Sequence, residues 1–165
     1  MYNNNQKESC SDDTMTEVEQ RGSREMELLQ KKNIILNCKA KEKEEIIREI
    51  GRILLDSAYV EQDYIEGMIE REKSFPTNIG NGIAIPHGVE AVKKNIRNSG
   101  IAVMIFPEGT DWNGDVVKIV VGIAAKGEEH LDVLANIAEK LSTEQAVEDM
   151  VRSSAEEIYL HFTGK

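Results

Sequence analysis

The chain carries three histidines, His87, His130 and His161, and two of them stand where an imidazole can do chemistry. His87 closes the apolar run Ile83, Ala84, Ile85, Pro86 and is followed at once by Gly88. The run reads as a short buried strand. Pro86 fixes φ and removes a backbone donor, and Gly88 lets the chain turn sharply. Such a frame holds an imidazole at the end of a rigid element with its ring exposed. At neutral pH the ring is mostly neutral, with one nitrogen free to act as a nucleophile and the other carrying a hydrogen. The same pattern also suits a histidine that is merely satisfied within a strand-end turn. His130 opens an amphipathic segment just after the strand-like VVKIVVGIAA (116–125) and the turn KGEE. Strand ends that lead into helix starts are where functional side chains gather in sheet-and-helix folds. Taken alone, His130 is better read as a helix-start residue without a role. The two rings meet if both strand ends lie on the same edge of a sheet. His161 falls in the last turn of a terminal helix, where partial positive charge is favoured, and is given no role.

Other chemistries fit less well. There is no Gly-x-Ser-x-Gly elbow and no Walker-type loop. The Gly80-Asn81-Gly82 stretch is too short for a dinucleotide fingerprint and reads as flexibility before a strand. His87 and His130 lack a third ligand at a metal-type spacing. Cys10 and Cys38 share no such spacing either, and a structural disulfide between them is not expected in a reducing compartment.

These residues need elements to hold them. NIILNC (33–38) is β-prone. In KAKEKEEIIREIGRILLDSAYV the apolar residues Ile46, Ile47, Ile50, Ile53, Leu54 and Ala58 recur at three and four, the period of an amphipathic helix. EQDYIEGMIEREKSF repeats the pattern, and Pro76 closes it. SGIAVMIF (99–106) reads as a buried strand, PEGTDWNGD as a loop, and 116–125 as a longer strand. A helix follows with Leu131, Leu134, Ile137, Ala138 and Leu141 on one face. One or two closing helices begin at Thr143 and at Ser153 or Ser154. VEAVKKN after Gly88 reads as a short helix whose first amides face an anion near the ring. The order β-α-α-β-β-β-α-α predicts a sheet covered by helices, with an antiparallel pair wherever the link is short.

Length and charge bound the rest. The 165 residues suffice for one domain. A net charge of −10 argues against nucleic acid, which needs a basic footprint, and is compatible with a basic protein partner. No apolar run spans a bilayer and no signal peptide is visible, so a cytoplasmic location without membrane insertion is expected. Residues 1–27 are polar and acidic without apolar period and are expected to be disordered; the domain is expected over 28–165. MELLQKKNIILNC reads like a natural beginning, which makes Met26 a candidate start.

REKSFPTNIGNGIAIPHG (71–88) resembles the active-site signature of enzyme IIA of the mannitol and fructose class in the bacterial phosphoenolpyruvate-dependent sugar phosphotransferase system. FPEGTDWNGD and IVVGIAAKGEEHLDVLANIAEKLS are most similar to the mannitol branch. The resemblance covers about residues 28 to 163. It implies a single α/β domain with a mixed, mostly parallel five-strand sheet flanked by helices on both faces. It also implies that His87 carries a phosphoryl group through Nε2, received from the phosphocarrier HPr and passed to a cysteine of an enzyme IIB domain. His130 matches the second active-site histidine and Arg71 a functional arginine of that family. Val89 stands where mannitol members often have Thr, so the backbone amides of Gly88 and Val89 are expected to bind the phosphoryl oxygens instead. Neither a cofactor nor a metal is implied. Two alternatives stay open: a regulatory relative that signals by its phosphorylation state, and a non-catalytic protein-binding module in which His87 is structural.

Overall fold

A computed structural model describes residues 27–164. The elements run β1 (Ile34–Ile35), α1 (Lys43–Asp56), α2 (Asp63–Ser74), β2 (Asn78–Gly80), β3 (Ile83–Ala84), β4 (Gly100–Trp112), β5 (Asp115–Ala124), α3 (Glu129–Lys140), α4 (Glu144–Val151) and α5 (Ala155–Thr163). The short helix expected after Gly88 is a 3-10 helix, Glu90–Asn95. The candidate start at Met26 and nearly all of the segment expected to be disordered lie outside the described residues. Glu27 is described and is tied down: its carbonyl accepts from the Tyr59 hydroxyl, and its carboxylate is bonded to the Tyr159 hydroxyl.

The five strands form one mixed sheet in the order β1-β4-β5-β3-β2. β1 pairs with β4 and β3 with β5 in parallel, while β4–β5 and β2–β3 are antiparallel hairpins. The balance is therefore even rather than mostly parallel, because both short links close hairpins. β4 shows why both faces are covered. Ile101, Val103 and Ile105 point into one apolar core with α3, α4 and α5. Ala102, Met104 and Phe106 point into a second core with α1 and α2. A strand buried on both faces reads as one continuous apolar run, as SGIAVMIF does.

Three expectations are corrected. PEGTDWNGD is not a loop: β4 continues to Trp112, which is fully buried. Between the pairs Ile105–Ile119 and Thr110–Val117, β4 advances five positions while β5 advances two. The surplus is a bulge that takes in Pro107 and Gly109, the place a strand tolerates a residue without an N–H. Only Asn113-Gly114 turns, with φ of 56° and 92°, the pair of left-handed residues that a two-residue hairpin asks for. The Gly80-Asn81-Gly82 stretch is likewise the turn of the β2–β3 hairpin rather than slack before a strand. On α3 the buried residues are Val133 and Ile137, with Leu141 just beyond its end, whereas Leu131 and Ala138 face solvent. The caps fall as expected: Thr143 accepts from the Ala146 amide, and Ser154 forms a capping box with Glu157.

Candidate functional site

β3 and β5 are parallel neighbours, so their C-terminal ends share an edge of the sheet. His87 lies just beyond β3, and His130 stands in the first turn of α3, just beyond β5. The two rings meet there, with centroids 5.3 Å apart and planes tilted by 60°. His161, by contrast, is exposed near the C-terminus of α5, as the sequence suggests.

The His87 ring has one nitrogen committed. Nδ1 lies 2.8 Å from the Ile85 carbonyl oxygen. A carbonyl only accepts, so Nδ1 carries the hydrogen and Nε2 keeps its lone pair free. This is the tautomer of an Nε2 nucleophile. The Ile85 carbonyl is itself held in place, because the Ile85 amide donates to the Thr77 carbonyl at 3.0 Å. Thr77 is in turn fixed by the buried Glu72 carboxylate, which accepts from the Thr77 amide and hydroxyl and from Trp112 Nε1 at 3.0 Å. Lys43 Nζ stands 3.4 Å from the same carboxylate, so the buried charge has a counter-charge.

Helix α2 is the floor of the site. Tyr64, Gly67 and Arg71 are spaced at three and four, on one face of the helix, and that face lies along the chain around His87. The Gly67 carbonyl accepts from the Val89 amide at 3.2 Å, and the Tyr64 hydroxyl accepts from the Gly88 amide at 2.9 Å. This corrects the expectation that those two amides bind the phosphoryl oxygens. Both donate into the protein, because the chain after His87 packs down on α2 rather than turning out to solvent. Arg71 is half-buried, and its Nη1 donates to the Phe75 carbonyl at 2.7 Å. Phe75, whose carbonyl Arg71 holds, is 70% exposed, and Leu131, next to His130 in the chain, is 69% exposed.

A glycine at position 67 is required by that close approach. A Cβ there would stand 2.3 Å from Val92 Cγ2 and 2.8 Å from Cγ1. Alanine in mid-helix gains about 1 kcal/mol of propensity over glycine, but overpacking of this kind costs about 1–3 kcal/mol. Gly67→Ala is expected to lower unfolding free energy by about 1 kcal/mol net in urea titration; a gain in stability would mean that the 89–92 turn yields freely.

Burial is the first cause that pushes the His87 pKa below the ordinary imidazole value, and the positive charge of Arg71, joined by that of His130 once it is protonated, adds to it. The Ile85 carbonyl and Glu72 oppose the shift. His130 is also lowered, first by burial and then by Lys93, with Glu90 opposing. Both rings are therefore neutral at neutral pH. The rate of phosphoryl uptake is expected to stay flat as pH falls through ~6.5 and to drop about tenfold per pH unit only below the depressed pKa. In the same window the unfolded chain binds more protons than the folded one. The stabilising contribution is thus complete above ~6.5 and lost as pH falls through the folded pKa. A rate that halves already near 6.5 would contradict the burial of the ring.

No group of three or more His, Cys, Asp or Glu stands together as a metal site among the described residues. No helix among them is long and apolar enough to cross a membrane.

Comparison with known proteins agrees with this geometry. The family described as "Phosphoenolpyruvate-dependent sugar phosphotransferase system, EIIA 2" matches residues 27–164. The mannitol-specific phosphotransferase enzyme IIA component of Staphylococcus aureus is 47% identical over 133 residues, covering 80% of this chain and 92% of that protein. The crystal structure of IIA mannitol from Escherichia coli superposes with a TM-score of 0.73 at 35% identity, over 79% of this chain and 96% of that one. Enzyme IIAMTL in its complex with phosphorylated enzyme IIBMTL from Escherichia coli gives 0.77 at 33% identity, over 84% and 100%. A sheet edge that pairs two histidines, a signature that frames the first of them and a match across nearly the whole described chain lead to one statement: this chain belongs to the EIIA type 2 family of the phosphoenolpyruvate-dependent sugar phosphotransferase system.

Proposed function

We propose that the chain is a cytoplasmic phosphocarrier of a mannitol transport system, which takes a phosphoryl group from phospho-HPr on His87 Nε2 and hands it to a cysteine of the mannitol-specific enzyme IIB. The observation that carries the reading is the His87 tautomer: Nδ1–H is spent on the Ile85 carbonyl and Nε2 is free beside a second imidazole. In the uptake step the Nε2 lone pair attacks phosphorus while the bond to the donor breaks and its electron pair returns to the donor. Nδ1 keeps its proton because the Ile85 carbonyl stabilises it. The ring can then leave as neutral imidazole when the IIB thiolate attacks, which favours onward transfer over storage. A loose transition state spreads charge over three phosphoryl oxygens, so positioning and positive charge do most of the work. Arg71 supplies a permanent charge with a planar fork of donors. His130, neutral at rest, gains a proton as dianionic phosphate arrives next to it, since a nearby negative charge favours the charged ring.

The mannitol assignment rests on the names of the most similar relatives and on the mannitol-like stretches of the sequence. The test is incubation with phosphoenolpyruvate, enzyme I and HPr, followed by mass analysis at neutral and acid pH and by addition of mannitol-specific IIB. One acid-labile phosphate on His87, discharged by IIB, is expected. A phosphate that IIB leaves untouched would remove the transport role and favour signalling by phosphorylation state. No phosphate at all would leave a binding module.

A further inference from the structure

Tyr64 has no part in the chemistry above, yet its side chain bridges the supports of the two histidines. It is 2% exposed, on the face of α2 that floors the site. Its hydroxyl accepts from the Gly88 amide at 2.9 Å and donates to the Ile123 carbonyl at 2.8 Å. The Ile123 amide donates to the Pro86 carbonyl at 2.9 Å. The residues on either side of His87 are thus both tied to Ile123, one directly and one through Tyr64. Ile123 is near the end of β5, the strand that leads into His130, and it is locked in the sheet opposite Ile101. Burial raises the Tyr64 pKa to about 12, so the hydroxyl stays protonated and can donate across the working pH range. The aromatic ring also packs where a Cβ on residue 88 would stand, 2.7 Å from Tyr64 Cε1, so only a glycine lets the chain lie this close to the ring.

We infer that Tyr64 is a positioning residue for phosphoryl transfer: its buried hydroxyl clamps the chain beyond His87 to the end of β5 and so sets the separation of the His87 and His130 rings. This rests on the reading of His87 as the acceptor. In-line displacement is sensitive to placement, and a shift of about 1 Å costs up to about a hundredfold in rate. Removing the hydroxyl leaves the Gly88 amide without its partner while the ring still fills the space.

The test is Tyr64→Phe, compared with Thr110→Val. Thr110 is a matched control: its buried hydroxyl also accepts from an amide and donates to a carbonyl, both of Lys41, at the far end of the β4–β5 ladder. Tyr64→Phe is expected to lower the maximal rate of uptake from phospho-HPr about tenfold with KM for the donor unchanged. Thr110→Val is expected to keep the wild-type rate. Wild-type rate in Tyr64→Phe, an equal loss in Thr110→Val, or a rise in KM with the maximal rate kept would each overturn the clamp. A wild-type chain that never gains phosphate at His87 would overturn the acceptor reading and the clamp together. Amide exchange in the unaltered protein gives a second readout. The Gly88 amide is expected to exchange as slowly as the β4–β5 ladder, and fast exchange would also overturn the proposal.

Discussion

His87→Ala protein, given phosphoenolpyruvate, enzyme I and HPr, is expected to gain no phosphate. The wild-type chain gains one, and the intact masses separate the two outcomes directly. The loss should be total rather than partial, because the alternatives are poorly placed. His130 stands in the first turn of a helix, and among the described residues neither of its ring nitrogens has a hydrogen-bond partner that fixes a tautomer. His161 is exposed at the C-terminus of α5. The fold should survive. His87 is only half-buried, and the substitution gives up one hydrogen bond to the Ile85 carbonyl, a cost of about 1 kcal/mol. Circular dichroism and a urea midpoint close to wild type would confirm that the defect is chemical. Phosphate found on the His87→Ala chain would move the acceptor elsewhere and dissolve the mechanism given above.

His130→Ala is expected to slow transfer by about a hundredfold while leaving phosphate attached to His87. Deleting one donor that meets charge developing in a transition state costs about 10²–10³ in rate. The lower figure applies here because Arg71 remains. The effect should be kinetic rather than structural, since the ring is partly exposed and makes no side-chain hydrogen bond among the described residues. His130→Gln offers a neutral donor of similar reach and should recover part of the rate, since a charged donor is roughly twice as strong as a neutral one. Stopped-flow transfer from phospho-HPr separates the three proteins. Unchanged rates in His130→Ala would reduce that ring to a spacer.

The pairing of the two histidines could be anticipated from local frames alone. An apolar run that stops at Pro86-His87-Gly88, and a second that stops shortly before His130, need only parallel neighbouring strands to bring both rings to one edge, and β3 and β5 are such neighbours. The helix faces of α1 and α2 and the caps Thr143 and Ser154 were legible for a similar reason, since they depend on residues within a turn or two; the exception is Ala58, expected on the α1 face, which lies past the helix end at Asp56, exposed and with φ of 65°. What stayed hidden depends on distant partners. Pro107 and Gly109 look like loop residues until β5 supplies a strand against which a bulge can form. Leu131 fits the apolar period of α3, yet the helix meets the sheet through Val133 and Ile137, and Leu131 is left outside next to His130. The amides of Gly88 and Val89 look free until α2 is laid beneath them with a hydroxyl at Tyr64 and a carbonyl at Gly67. Glu72 passed as one more acid in an acidic chain. A signal was available: buried Trp112 and Thr77 both need an acceptor, but only the fold puts that acceptor seventy-two residues into the chain and forty before the tryptophan.

The sheet ends in two very short strands, β1 with two residues and β2 with three. Exposed strand edges are the usual handholds by which one polypeptide zips onto another through main-chain pairing. Handholds this brief offer too few rungs for a visitor to climb on and stay. A courier that must meet a donor and then a recipient gains from this: both visitors are left to grip side chains near the cargo rather than the main chain of an edge.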